Sequence, residues 1–168
     1  MIPHKHTRFL TNTRVAINPT ATLLYSEILL AGRKYYGDGE LFQYDLYSST
    51  LRGERPDGTE LFTERFIIEP HRRDVRRLGI MGGFDVLATV VLLTPKENTD
   101  RIFELGTAEF NTKEHWAAGA SRLPNDAGLI YKVLGMETQP VRAKVREFWS
   151  TVRQEVMGKK VMREFSWR

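Results

Sequence analysis

A single carboxylate, Glu27, interrupts the apolar stretch Leu23–Leu30. A charge in such a strand is costly unless it meets a counter-ion or water. Two readings follow from its position. In one, an arginine such as Arg33 neutralises it. In the other, it lines a polar cavity suited to the passage of a divalent cation. Two further carboxylates, Asp38 and Glu40, flank Gly39 in Gly37-Asp38-Gly39-Glu40. That spacing lacks the third glycine of a dinucleotide fingerprint and precedes a strand-like segment, so it reads as a tight turn between strands. His4 and His6 sit two apart, and on an extended segment both imidazoles would point the same way and could share a borderline metal. With no third ligand nearby in sequence, a frayed terminus is the simpler expectation for them. His71, beside an arginine cluster, and His115, before Trp116, read as surface or packing residues.

Catalytic signatures are missing from the sequence. It has no Gly-x-Ser-x-Gly elbow, no Walker-type phosphate loop and no His-Glu-x-x-His zinc helix, which predicts a chain that by itself binds no nucleotide. Its lack of cysteine excludes disulfides, thiolate metal sites and cysteine nucleophiles, and suits a reducing cytoplasm. A hydrolase built on paired carboxylates such as Asp38 and Glu40 would need them to face each other across a cleft. The net charge of +4 comes from 25 Lys and Arg against 21 Asp and Glu, with the basic residues densest at Arg72-Arg73-Asp74-Val75-Arg76-Arg77. Such a cluster reads as a solvated loop or protein-docking surface; the alternative is a basic, β-rich nucleic-acid-binding module using Arg72, Arg73, Arg76 and Arg77.

The elements that hold these residues change character along the chain. At 168 residues with 41% hydrophobic and 27% charged residues, one domain with a real core is expected. Leu23–Leu30 reads as a strand, and Phe42, Tyr44 and Leu46 alternate with polar residues at the period of a half-buried strand. Arg55-Pro56-Asp57-Gly58 signals a turn between that region and the alternating Phe62, Phe66 and Ile68, giving a hairpin. Gly79, Gly82 and Gly83 punctuate a loop before the run Val86–Leu93, which Thr94-Pro95 closes and which is too short to span a bilayer. A short strand is expected at 101–105. The last third, 121–168, reads as helical. One helix is predicted at 125–134, from Pro124-Asn125-Asp126 and the stripe Leu129, Ile130, Val133 and Leu134. A longer one is predicted at 140–157, capped by Thr138 or Gln139 and ended by Gly158. With no apolar leader at Met1-Ile2-Pro3-His4, a soluble, cytoplasmic protein is expected.

The ordered succession of short motifs resembles a known family. Glu27, Gly32-Arg33, Gly39-Glu40-Leu41-Phe42 and the Asp57-Gly58 turn with Leu61 and Arg65 are similar to the central stretch of the urease accessory protein UreD, also called UreH. Met81-Gly82-Gly83-Phe84-Asp85-Val86-Leu87-Ala88-Thr89 resembles that family's next glycine-to-strand segment. Ser121-Arg122-Leu123-Pro124 and Gly128-Leu129-Ile130-Tyr131-Lys132-Val133-Leu134-Gly135 resemble its later "RLP … GL … RVLG" pattern, with Lys132 where arginine is common. Phe148-Trp149 and Arg153 fit its closing helix. The resemblance covers residues 9–167 and implies a mainly β chain, a β-helix-like layered strand body (1–120) with two C-terminal α-helices, in a single domain over 1–168. It implies a non-catalytic scaffold that by itself turns over no urea, binds UreF, reaches the GTPase UreG through UreF, and docks on the urease apoprotein. Nickel would pass transiently, with no stably bound cofactor. Glu27 and Glu40 are the matched positions expected to line or support the nickel passage. Family members carry a further N-terminal portion, so this chain is expected to be a shortened form.

Overall fold

The computed structural model describes residues 1–159. Along it run β1 (Arg8–Ala16), β2 (Leu23–Leu30), β3 (Leu46–Glu54), β4 (Glu60–Ile68) and β5 (Val86–Leu93), followed by α1 (Lys96–Leu105), β6 (Glu109–Asn111), β7 (Trp116–Arg122), a single 3-10 turn at Pro124–Asp126, β8 (Gly128–Gly135) and α2 (Thr138–Met157). The strands form two sheets, one of three strands ordered β1-β3-β4 and one of five ordered β2-β5-β8-β7-β6. The described residues are therefore mainly β, with two α-helices in the second half of the chain.

Three layers result. Side chains of β5 alternate between two partners because a strand presents successive residues to opposite faces. Val86, Ala88, Val90 and Leu92 join Leu129, Tyr131 and Val133 of β8 in a core shared with Ile102 of α1 and with Val141, Val145, Phe148 and Val152 of α2. Val91 and Leu93 instead meet Leu51, Leu61 and Phe62 of the three-stranded sheet. A third cluster, with Leu29, Tyr44, Tyr47, Ile68 and Val75, closes the other end of the space between the sheets. Tyr131 stacks on Phe148 with ring centroids 4.3 Å apart, locking α2 onto β8.

The expected hairpin is present. β3 and β4 pair antiparallel from Tyr47↔Ile68, and Gly58 takes φ +88° in the turn between them, where Thr59 N donates to Asp57 Oδ1 at 2.9 Å. Its first strand begins only at Leu46; residues 42–45 form a connection that carries the buried Tyr44. α2 also stands where expected and ends at Gly158 with φ +63°. Its N-cap, however, is Glu137, whose carboxylate accepts from Lys34 and Tyr35 rather than from helix amides, so Thr138 and Gln139 lie inside the first turn.

Two expectations about the other elements are corrected. The predicted helix at 125–134 is strand β8. Its near-continuous apolar run arises because both faces are covered, and periodicity alone cannot separate such a strand from a helix. Pro124-Asn125-Asp126, read as a helix start, instead turns sharply, with Asn125 and Asp126 at φ 57° and 50°. The part of 121–168 before Thr138 thus holds strand and turn in place of an α-helix, and residues 160–168 lie outside the described residues. Conversely, the strand expected at 101–105 is the end of α1, whose Thr99 and Ile102 are buried one turn apart.

Gly128 fixes the entry to β8. It sits at φ +140°, and a Cβ there would lie 1.9 Å from the carbonyl oxygen of Leu92 on the neighbouring strand. Gly128→Ala is expected to destabilise the fold by about 3 kcal/mol or more, from positive-φ strain plus a forced parting of β5 and β8. A urea unfolding midpoint unchanged by the substitution would contradict this account.

Candidate functional site

Glu27 faces the three-stranded sheet because it shares the parity of Tyr25 and Leu29, which pack there, while Leu24, Ile28 and Leu30 face the helices. Across the five-stranded sheet it pairs with Thr89, and Thr89 pairs with Lys132. One polar residue from each of three neighbouring strands therefore forms a row on the inner face. Opposite stand Ser49 of β3 and Glu64 of β4, and Lys132 Nζ donates to Glu64 Oε1 at 2.7 Å, bridging the two sheets. This row lies between the two apolar clusters and divides the inter-sheet core.

The half-buried Glu27 carboxylate accepts from Tyr25 Oη at 2.7 Å and more distantly from Ser49 Oγ at 3.4 Å. Burial, then the bond to Glu27, pushes the Tyr25 hydroxyl up to about 12, which keeps it a donor. Tyr47 is raised by burial first and then by the nearby negative charge of Glu27, and its ring walls the space with Phe66. The space they line has a volume of about 30 Å³, room for one or two water-sized groups. Among the described residues Glu27 has no cationic partner.

Arg33 goes elsewhere. It holds Glu40 through two bonds, Nε to Oε2 at 2.6 Å and Nη2 to Oε1 at 2.7 Å, and its guanidinium lies 3.7 Å from the centre of the Tyr36 ring. This pair closes the neck of the loop 31–42, where Gly32 at φ +144° lets the Glu40 carbonyl approach. Glu40 does not line the space that Glu27 lines. Its neighbour Asp38 is exposed, and neither carboxylate lines the pocket that Arg33 and Lys34 border.

The basic cluster is partly consumed by the fold. Asp85, 4% exposed, is flanked by Arg76 at 2.6 Å and Lys34 at 3.1 Å, and Lys34 also reaches Glu137 at 2.6 Å. Arg76 further stacks on Phe42, Arg72 pairs with Glu69 at 3.2 Å, and Val75 is buried. His4 and His6 do not share an extended segment. Thr7 Oγ1 and N both donate to His4 O, making a turn in which His6 adopts φ 58°. His115 is exposed, also at positive φ.

Ser49, Glu64, Thr89 and Lys132 were not singled out from the sequence as site residues. A signal did exist, since β2, β5 and β8 are apolar runs each broken near the middle by a polar residue. Only the strand register shows that the three breaks align.

The architecture is that of a β-layered protein with a polar break inside its core. A family model described as UreD urease accessory protein matches residues 1–168. The chain is 58% identical over 167 residues to urease accessory protein UreD 2 of Brucella suis biovar 1, covering 99% of this chain and 55% of that protein. It is equally similar to the protein of that name in Brucella abortus strain 2308. To urease accessory protein UreD of Yersinia pseudotuberculosis it is 44% identical over 168 residues, 100% of this chain and 52% of that one. The chain belongs to the UreD urease accessory protein family. It spans about half the length of the curated relatives it matches.

The bond from Arg33 holds the Glu40 carboxyl below its ordinary value. The folded state therefore binds this proton less readily than the unfolded one. Stabilisation is complete above the unfolded carboxylate range and is lost as pH falls through the depressed value. Glu40→Gln is expected to flatten the acid limb of a stability–pH curve measured by denaturant unfolding; an acid limb identical to wild type would refute this.

Proposed function

We propose that the chain acts as a non-catalytic scaffold in urease maturation. It binds UreF, engages the GTPase UreG through UreF, and docks on apo-urease in the cytoplasm. Nickel is cargo in this reading, handed through the protein rather than kept as a resident cofactor. Family membership and the printed names of the relatives support the accessory role.

The observation that carries the cation reading is the half-buried Glu27 carboxylate, which faces a polar gap between the sheets with hydroxyl partners and no cationic one among the described residues. A carboxylate so placed offers a hard oxygen ligand, and the hydroxyls of Tyr25, Ser49 and Thr89 line the same space. A fully hydrated divalent ion exceeds about 30 Å³. Transit therefore requires these oxygens to replace water ligands, or the sheets to part locally. Glu40, bound to Arg33 on both oxygens, supports the loop rather than touching cargo. The nucleic-acid reading loses its central residue, since Arg76 is bound to Asp85 and to the carbonyl of Phe84. In support of the soluble scaffold, no helix among the described residues is long and apolar enough to cross a membrane.

Glu27→Gln keeps an acceptor for Tyr25 and removes the charge. In cells co-expressing urease and the other accessory proteins, it is expected to lower urease activation several-fold while UreF still co-purifies. The purified wild-type chain is expected to bind no GTP and to release no ammonia from urea. Unchanged activation would reduce Glu27 to a structural carboxylate, and loss of UreF binding would mean that the substitution damages the scaffold itself.

A further inference from the structure

At the rim of the three-stranded sheet, β1 and β3 begin side by side in parallel while β4 ends beside them, since Arg8 is in register with Leu46 and Tyr47 with Ile68. This topology gathers residues far apart in sequence: His6 just before β1, Asp45 just before β3, and His71 just after β4. His6 Nδ1 lies 3.5 Å from Asp45 Oδ1, and His71 Nε2 lies 3.6 Å from the same oxygen. All three ligand atoms fall within 4.8 Å of one another.

We propose that His6, Asp45 and His71 form a surface site for a borderline first-row divalent cation such as Ni²⁺ or Zn²⁺. Adjacent ligands around such an ion, with metal–ligand distances of about 2.1 Å, stand roughly 3.0–3.5 Å apart. The two measured separations are at or just beyond the upper end of that range, and small rotations of exposed side chains close the rest. Two imidazoles and one carboxylate suit zinc, nickel or cobalt over calcium or magnesium, which favour all-oxygen shells. Three protein ligands also leave coordination positions open for water or for a donor from another molecule.

The backbone beneath the site is fixed. His6 N donates to Gln43 O at 2.9 Å, and Asp45 N and Leu46 N both donate to Thr7 O, tying the two strand starts together. The positive φ of His6 belongs to the turn that leads into this position. His71 follows Pro70, and the carbonyl of Glu69 anchors the next turn by accepting from Arg72 N and Arg73 N. Glu69 also pairs with the Arg72 side chain, giving that cation a partner beside His71. The site is independent of the gap around Glu27, whose lining includes none of the three residues.

The test is titration of the purified 168-residue chain with NiCl₂ or ZnCl₂, followed through the ring resonances of its four histidines. The signals of His6 and His71 are expected to respond together and saturate, those of His4 and His115 to stay unmoved, and excess Mg²⁺ not to compete. Asp45→Asn and His71→Ala should each weaken binding by at least about tenfold. Since His6 and His71 are exposed and Asp45 half-exposed, the metal-free unfolding temperature should not change. A response of His4 with His6 that leaves His71 silent would overturn the assignment in favour of a terminal histidine pair. Equal affinity in wild type and both variants would overturn it outright.

Discussion

Everything in this fold depends on β5 being covered on both faces. Seven of its eight residues are buried, and one parity packs on α2 while the other packs on the three-stranded sheet. Each Val or Leu fully buried in this way contributes about 1.5–3 kcal/mol relative to exposure. Neither outer layer has an adequate core without this strand. The helices supply one apolar stripe each, and the three-stranded sheet only one inner face. β5 is what makes three thin layers into one body, and β2 and β8 on either side extend it.

The exception to that burial is a polar break in the middle of the strand. Thr89 is the one β5 residue not fully buried, and it stands in register with Glu27 and Lys132. Filling those positions with apolar residues would join the two inter-sheet clusters into one core. Instead a carboxylate, hydroxyls and a cross-sheet ion pair occupy the middle, and Glu64 takes up the lysine rather than Glu27 doing so. Desolvating a carboxylate without a counter-charge opposes folding, and two hydroxyl donors and room for water offset only part of the cost. Local rules broken inside an otherwise consistent core are where function is to be sought.

A second polar centre does the opposite work. Asp85, at the start of β5, accepts both Lys34 from the loop after β2 and Arg76 from the loop after β4, and Lys34 continues to Glu137 at the start of α2. The loops after β2 and β4 are thereby tied to one buried carboxylate, and Lys34 links the start of α2 to them. A carboxylate buried this deeply opposes folding unless cations meet it, so the network favours the arrangement in which both loops reach it. Arg33 likewise closes the Gly32–Glu40 neck of the loop after β2.

Much of this was legible in the sequence. The Pro-Asp-Gly turn dictated the β3–β4 hairpin, because proline and glycine preset its torsions, and the stripe from Val141 to Val156 specified α2. Cysteine content and missing motifs narrowed the chemistry, and Glu27 stood out because charge in an apolar strand is costly wherever the strand lies. What sequence left undecided was whatever depends on a neighbour. The run Leu129–Leu134 has the same apolar pattern for a helix as for a strand covered on both faces, and only packing between β5 and β7 made it a strand. Arg33 is nearer in sequence to Glu27 than to Glu40, yet strand parity turned Glu27 inward and the loop carried Arg33 to Glu40. His6, Asp45 and His71 are separated by tens of residues, and only the parallel start of β1 and β3 beside the end of β4 brings them together. Local torsions and burial preference are properties of the chain, whereas register and adjacency come into being only when the sheets pair.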